Sequence, residues 1–188
     1  MNSVFRSRLF NNIFNQFLLE GFSNLIPIIL VPFLLNQIGV EKYGVINFAL
    51  AFAFYFQVVN EFGFDLSNVR HVVLHRDDKL RLSEILSSIL CCKLGIILVS
   101  VPVYVLIVCI FPGFRQLWLL YALAFVRLFG IILSPVWFFR SMEDTKYVTR
   151  TVLPAKIIAI LPIFFIVHSA DKYIWVMFFF ALETILSG

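Results

Sequence analysis

Residues 39–70 read GVEKYGVINFALAFAFYFQVVNEFGFDLSNVR, and this stretch decides the fold class. A short polar turn leads into an apolar run of about 20 residues, the length that crosses a bilayer. The run carries Asn60 and Glu61 near its far end and breaks at Gly63, before a basic loop led by Arg70. A helix on the surface of a soluble protein would be polar on one face, whereas this run is apolar nearly all round. It is therefore predicted to be a membrane-spanning helix.

The composition of the whole chain supports this fold class. Of its 188 residues, 61% are hydrophobic and only 14% are charged, and the mean hydropathy is +0.96. A soluble domain is about 45–50% apolar and about 25% charged. We therefore predict an all-α integral membrane protein, because a backbone exposed to lipid must satisfy its hydrogen bonds within helices. The net charge of +4 comes from basic residues that lie mostly between apolar runs, so membrane topology explains it and no nucleic-acid partner is expected.

Six apolar segments follow one another along the chain. They predict about six transmembrane helices, at about 12–37, 43–64, 84–111, 116–139, 152–169 and 173–188. The last segment has 16 residues, fewer than the ~20 needed to cross a bilayer. No basic cluster or polar tail closes it, so we expect the chain to be truncated at its C-terminus.

The loops between these segments predict the orientation of the chain. One side collects nine basic residues, which are Arg6, Arg8, Arg70, Arg76, Lys79, Arg81, Arg140, Lys146 and Arg150. The other side has Lys42, Arg115 and Lys172. The N-terminus is therefore expected in the cytoplasm. Aromatic side chains are expected to anchor the outer boundary at Tyr43, Trp118, Tyr121, Tyr173 and Trp175, and the inner boundary at Trp137.

Ionisable residues inside the spans are the main candidates for function, because each is costly in a membrane unless it is paired or hydrated. At ~1.5 Å per residue, Glu20, Lys93 and Arg127 share a depth near the middle of the membrane, and Lys156 is shallower. We hypothesise a water-filled cavity in which Lys93, Arg127 and Lys156 bind an anionic substrate, since Lys and Arg hold phosphate groups. The alternatives are a structural ion pair of Glu20 with Lys93 or Arg127, and a Lys156 that snorkels to the interface.

Polar neighbours favour the cavity. Four side chains recur every four residues and give the first span one polar face; they are Asn12, Gln16, Glu20 and Asn24. The second span adds Asn47, Gln57, Asn60 and Glu61. Of these, Glu20, Glu61, Asn24 and Asn60 are the candidates for lining the cavity, and the two carboxylates are candidates for proton or sodium coupling.

Enzymatic and metal sites are not expected. The sequence contains no Gly-rich phosphate loop, no nucleophile elbow and no H-E-x-x-H motif. Cys91, Cys92 and Cys109 lie in apolar sequence without metal-ligand spacing, so neither a metal centre nor a disulfide is predicted.

Two stretches carry a resemblance to a known family. The first combines L-x-x-x-G-V-E-K-Y-G (35–44), F-A-x-A-F-x-F-Y-F (48–56) and G-F-D-L-S-N-V-R (63–70). The second is P-V-W-F-F-R-S-M-E-D-T-K-Y (135–147). Their order and placement resemble O-antigen and polysaccharide flippases of the Wzx type, in the multidrug/oligosaccharidyl-lipid/polysaccharide exporter superfamily. The chain departs from the usual P-x-W-F-F-Q-G-x-E pattern at Arg140 and Ser141.

The resemblance implies that the chain is the N-terminal bundle of an exporter with twelve to fourteen spans, whose C-terminal bundle is missing. It implies transport of undecaprenyl-diphosphate-linked repeat units across the bacterial inner membrane, in concert with polysaccharide polymerase and chain-length partners. Arg70 and Arg140 would then belong to a cytoplasmic gate. Three other readings remain open: a drug or small-cation exporter of the same superfamily, a membrane enzyme of glycan assembly, and a truncated fragment without function.

Overall fold

The structure is a computed structural model that describes residues 2–61, 72–76, 78–142 and 145–187. Within these ranges it leaves the side chains of 2–13, 15, 18, 19, 22, 140 and 145–147 undescribed. The described chain is almost entirely α-helical, as the all-α prediction requires.

The first helix, α1, covers Asn2–Glu61 and is two helices joined at a kink. At the kink, Gly39 has φ 78° and ψ 163°, values outside the helical region. Positive φ brings the Cβ of an L-residue close to its own backbone, and glycine avoids this cost because it has no Cβ. The kink separates an N-terminal arm (2–38) from a C-terminal arm (40–61). The turn predicted between the first two apolar segments thus coincides with the break in the backbone.

The remaining helices follow in chain order. They are α2 (Lys79–Ile110), α3 (Pro112–Gln116), α4 (Trp118–Leu133), α5 (Val136–Ser141), α6 (Thr145–Ile166) and α7 (Tyr173–Ser187), with a 3₁₀ turn at Ala170–Lys172. Asp78 caps α2 by accepting hydrogen bonds from the backbone N–H groups of Leu80 and Arg81, both at 3.1 Å.

The fourth predicted span is interrupted. Its helix α4 stops at Leu133, Ser134 is extended at φ −63° and ψ 125°, and α5 begins after Pro135, at Val136. A residue that precedes proline is disfavoured in the helical region because the proline ring crowds it. The proline in the sequence therefore divides a segment that hydropathy alone predicts as one helix.

The connections between helices alternate between two ends of the bundle. At one end, Lys42 Nζ lies 5.2 Å from the ring centroid of Tyr173, and the ring of Phe48 is 5.8 Å from that of Phe114. At the other end, Arg76 donates a 2.7 Å hydrogen bond to the backbone carbonyl of Met142.

Four helical segments of the described chain are long and apolar enough to cross a membrane, judged by length and composition. They are Ser23–Glu61, Lys79–Ile110, Trp118–Phe139 and Val148–Ile166. The first contains the kink at Gly39 and therefore both arms of α1. The protein is accordingly a multi-pass α-helical membrane protein, whereas its division into six spans stays a prediction.

The apolar core lies between α1, α2, α4, α6 and α7. Aromatic side chains dominate the end of the core that lies next to α3. The Phe52 ring packs against the rings of Tyr104 and Tyr121, at centroid distances of 4.9 and 5.8 Å. Tyr121 is 2% exposed and sits inside this core. By contrast, Trp118 is 62% exposed, and its position at the membrane boundary stays a prediction.

Candidate functional site

An open cavity of about 340 Å³ lies between the C-terminal arm of α1 and helix α4. Its wall is mainly apolar, with three polar side chains, and is made of Asn47, Leu50, Ala51, Ala53, Phe54, Gln57, Arg127 and Leu128. The α1 members lie on one face of the helix, because Asn47, Leu50, Phe54 and Gln57 follow one another at three or four residues. The volume is within the range of small-molecule binding pockets, at its lower end.

Arg127 supplies the charge of this cavity. Its guanidinium is ionised at any physiological pH and offers five N–H donors in a planar fork. Asn47 donates to the Tyr43 carbonyl at 2.9 Å and Gln57 donates to Glu61 at 3.0 Å, so both amide nitrogens are engaged along their own helix. The arrangement suits an anion that accepts hydrogen bonds from Arg127.

A second cation, Lys156, lies on α6 among polar side chains. Its Nζ donates a 2.8 Å hydrogen bond to Ser23 Oγ and lies 3.9 Å from Glu183 Oε1. The Lys156 and Glu183 side chains are only 20% and 17% exposed. A carboxylate on α7 is therefore the ion-pair partner of one of the three predicted substrate-binding cations.

Lys93, the third predicted cation, has a different environment. It is 3% exposed, and its Nζ lies 5.7 Å from the centre of the Trp137 ring, where a cation–π interaction is favourable. Its carbonyl accepts a hydrogen bond at 3.5 Å from Asn60, which is 1% exposed. Lys93 does not line the Arg127 cavity. Three buried polar atoms around this region have no hydrogen-bond partner in the described chain; they are Asn60 Oδ1, Ser134 Oγ and Trp137 Nε1.

The remaining predicted residues are distributed as follows. Glu20 is exposed and accepts a 3.2 Å hydrogen bond from Gln16, and the structure records no ion pair between it and Lys93 or Arg127 in the described chain. Asn24 is exposed, and Glu61 is half-buried beside the cavity residue Gln57. Arg70 and the side chain of Arg140 lie outside the described residues, so their gate role stays a prediction.

Sequence reasoning left Glu183 without a role and did not consider Ser23. The available signal was Glu183 itself, an acidic residue within an apolar segment, which in a membrane requires a partner. Hydropathy gives the depth of such a residue but not the neighbouring helix it faces. Ser23 carried no comparable signal, because serine occurs widely in membrane helices.

These features define a multi-pass membrane protein with a cavity between two of its helices that has Arg127 in its wall. Residues 9–188 match the model of the family described as "Polysaccharide biosynthesis protein", and the chain belongs to that family. The resemblance predicted from residues 35–70 and 135–147 is confirmed at the level of the family.

One curated relative has a more specific description. The chain is 23% identical over 155 residues to the "Putative O-antigen transporter" of Escherichia coli (strain K12), a match that covers 82% of this chain. The same match covers 37% of that relative, so the chain spans well under half of its length. No solved structure gives a match to the chain.

Proposed function

We propose that the protein takes part in moving a lipid-linked oligosaccharide across the bacterial inner membrane for surface polysaccharide synthesis. The substrate would be an undecaprenyl-diphosphate-linked repeat unit, and no bond would be made or broken during its passage. The family and the description of the Escherichia coli relative support a transport role of this kind. Because that relative is much longer than the matched region, the activity is proposed for a complete transporter with a second bundle.

The Arg127 cavity is the observation that carries this proposal. A guanidinium inside a membrane helix is costly unless it faces water or an anion. Arginine binds phosphate oxygens through two parallel hydrogen bonds, which makes it well suited to a diphosphate. A cavity of about 340 Å³ can hold a diphosphate and adjoining groups, while the lipid tail remains in the bilayer.

The charge of the cavity wall supports an anionic rather than a cationic substrate. A drug or small-cation exporter would need carboxylates facing its substrate, whereas the charged side chain in this cavity wall is Arg127. We assign Lys156 and Lys93 as further cations along the path, and Glu20 and Glu61 as candidates for proton or sodium coupling. Transport would proceed by rocking of two bundles around the site, as in other transporters built from repeats.

The test replaces Arg127 in the complete gene product, expressed in a strain that lacks its own flippase. Arg127→Ala should abolish surface polysaccharide while the protein remains in the membrane at its normal level. Arg127→Lys should restore only part of the activity, because lysine keeps the charge but loses the bidentate geometry. The matched control is Arg115→Ala, since Arg115 is exposed on α3 at the end of the bundle.

Two readouts make the outcome decisive. Surface polysaccharide is measured on gels, and lipid-linked repeat units are extracted and quantified. Loss of polysaccharide with accumulation of lipid-linked repeat units in Arg127→Ala supports a block at translocation. Normal polysaccharide in Arg127→Ala would refute the proposed role of the cavity.

A further inference from the structure

Charged side chains from three helices lie close to one another inside the bundle. Glu183 on α7 lies 3.9 Å from Lys156 on α6, and the next residue, Thr184, packs against Gly130 of α4, one turn from Arg127. One carboxylate therefore lies near two cations, and its pairing with Lys156 leaves the charge of Arg127 available. The cluster adjoins the cavity, because Arg127 also lines the cavity wall.

We propose that Glu183 is a built-in counter-ion of the anion site, which pairs with Lys156 beside Arg127 until the diphosphate of the substrate replaces it. This inference rests on the proposed function and assigns to that site a residue that competes with substrate. Glu183 would thereby set both the affinity of the site for an anion and the rate at which the anion dissociates.

The geometry of the Lys156 contacts supports an exchangeable pair. The separation of 3.9 Å between Lys156 and Glu183 is long for a charge-assisted hydrogen bond, which is usually about 2.7–2.9 Å. The shorter contact of Lys156 is to Ser23 Oγ at 2.8 Å, and this contact keeps the ammonium in place when Glu183 leaves. Ser23 therefore positions the Lys156 ammonium, and Glu183 neutralises its charge.

The chemistry of the incoming group favours the exchange. A diphosphate carries more negative charge than one carboxylate and has more acceptor oxygens, so it can contact a guanidinium and an ammonium together. In a region of low dielectric, neither cation is stable without an anion, and Glu183 fills that role in the empty site. When the substrate departs, Glu183 returns to the cations and opposes rebinding.

This mechanism predicts opposite effects on binding and on transport. Removing the charge of Glu183 by Glu183→Gln should tighten binding of an anion, on the order of tenfold, because a competing charge is gone. The same substitution should slow transport, because no carboxylate would then compete with the bound diphosphate and promote its dissociation. A carboxylate that only supports the fold would instead weaken binding and transport together.

The experiment uses the complete protein, purified and placed in lipid nanodiscs, with farnesyl diphosphate as the probe and uncharged farnesol as its control. Binding is measured by calorimetry for the wild type, Glu183→Gln and Glu84→Gln. Glu84 is the matched control because it is a carboxylate in an ion pair with Arg81, at 2.8 Å, but both side chains are more than 60% exposed. Glu84→Gln should bind the probe as the wild type does.

In Glu183→Gln, Lys156 is buried without a counter-charge, which itself affects the site. A second variant avoids this effect. In Lys156→Gln/Glu183→Gln both members of the pair are neutral and Arg127 keeps its charge. If Glu183 is a counter-ion, this variant should bind farnesyl diphosphate at least as tightly as the wild type, despite the lost cation.

The outcomes separate this inference from the proposed function. Diphosphate-dependent binding by the wild type, with equal or weaker binding by Glu183→Gln and weaker binding by Lys156→Gln/Glu183→Gln, would overturn the counter-ion role and leave the proposed function intact. Equal affinity of the wild type for farnesyl diphosphate and farnesol, or no binding of either, would overturn the anion site itself. Tighter binding by Glu183→Gln together with slower polysaccharide export supports the inference.

Discussion

Gly130 on α4 lies directly against Thr184 on α7. A Cβ at position 130 would stand 2.7 Å from Thr184 Oγ1 and 2.9 Å from its carbonyl carbon. Close approach through a small residue is a common way for membrane helices to associate. The contact has a functional consequence, because Arg127 lies one turn before Gly130 and Glu183 directly precedes Thr184. The missing side chain at Gly130 thereby lets the helix segments that carry Arg127 and Glu183 pack closely against each other.

Gly130→Ala should therefore destabilise the packing of α4 on α7. The added methyl group meets the Thr184 backbone, which cannot move aside as a flexible side chain could. Overpacking of this kind costs about 1–3 kcal/mol, so the thermal unfolding temperature in detergent should fall. The matched control is Gly95→Ala on α2, where a Cβ meets nothing within 4 Å. Equal stability of the two variants would contradict the close packing.

Gly39→Ala should destabilise the protein through the backbone alone. No atom lies within 4 Å of a Cβ at this position, but φ is +78°, a value that costs an L-residue roughly 1–2 kcal/mol. Gly44→Ala provides the control, since Gly44 also has open space and lies within the helix without positive φ. Alanine there should be neutral or slightly stabilising, because it has the higher helix propensity. Thermal unfolding of both variants checks the difference, and a destabilised Gly44→Ala beside an unaffected Gly39→Ala would contradict it.

The features that the sequence could predict are those that depend on one segment at a time. The apolar run after Gly39 is enough to identify a membrane helix. The low charge and high hydropathy of the chain exclude a soluble domain, and the order of the motifs identifies the family. The turn between the first two apolar segments also follows from local sequence, since Gly39, Glu41 and Lys42 separate two apolar runs.

The neighbours of each charged side chain could not be predicted in this way. Hydropathy placed Glu20, Lys93 and Arg127 at a similar depth, but depth does not determine which helix a residue faces. The structure instead places Lys93 over Trp137 and pairs Lys156 with Glu183. These pairings depend on helix rotation and on which helices are adjacent, and both are set by packing of the whole bundle. Tyr121 was misjudged for the same reason, because a boundary position along the helix does not reveal that its ring points inward.

Tyr104→Phe should remove one hydrogen bond that joins α2 to α4. The Tyr104 hydroxyl donates to the backbone carbonyl of Tyr121 at 2.9 Å, and Tyr104 is 3% exposed. A buried hydrogen bond contributes about 0.5–1.5 kcal/mol, and the phenylalanine ring preserves the aromatic contacts. Tyr55→Phe is the control, because Tyr55 is 72% exposed. A lower unfolding temperature is expected for Tyr104→Phe only, and identical temperatures for the two variants would show that the hydrogen bond does not stabilise the bundle.

Trp137→Phe should be tolerated far better than Trp137→Leu. The indole N–H of Trp137 has no hydrogen-bond partner in the described chain, so replacement by phenylalanine costs no hydrogen bond. Phenylalanine also retains an aromatic face beneath the Lys93 ammonium, which lies 5.7 Å from the centre of the Trp137 ring. Leucine keeps the apolar volume but removes the cation–π interaction, which contributes up to about 2 kcal/mol when desolvated. In the Lys93→Met background the two substitutions should become equivalent, because no cation remains over the ring. Unfolding temperatures of the four variants, each measured in detergent, form a double-mutant cycle. The difference in unfolding temperature between Trp137→Phe and Trp137→Leu can persist in the Lys93→Met background. In that case ring packing explains the difference, and the cation–π contact between α2 and α5 is refuted as its cause.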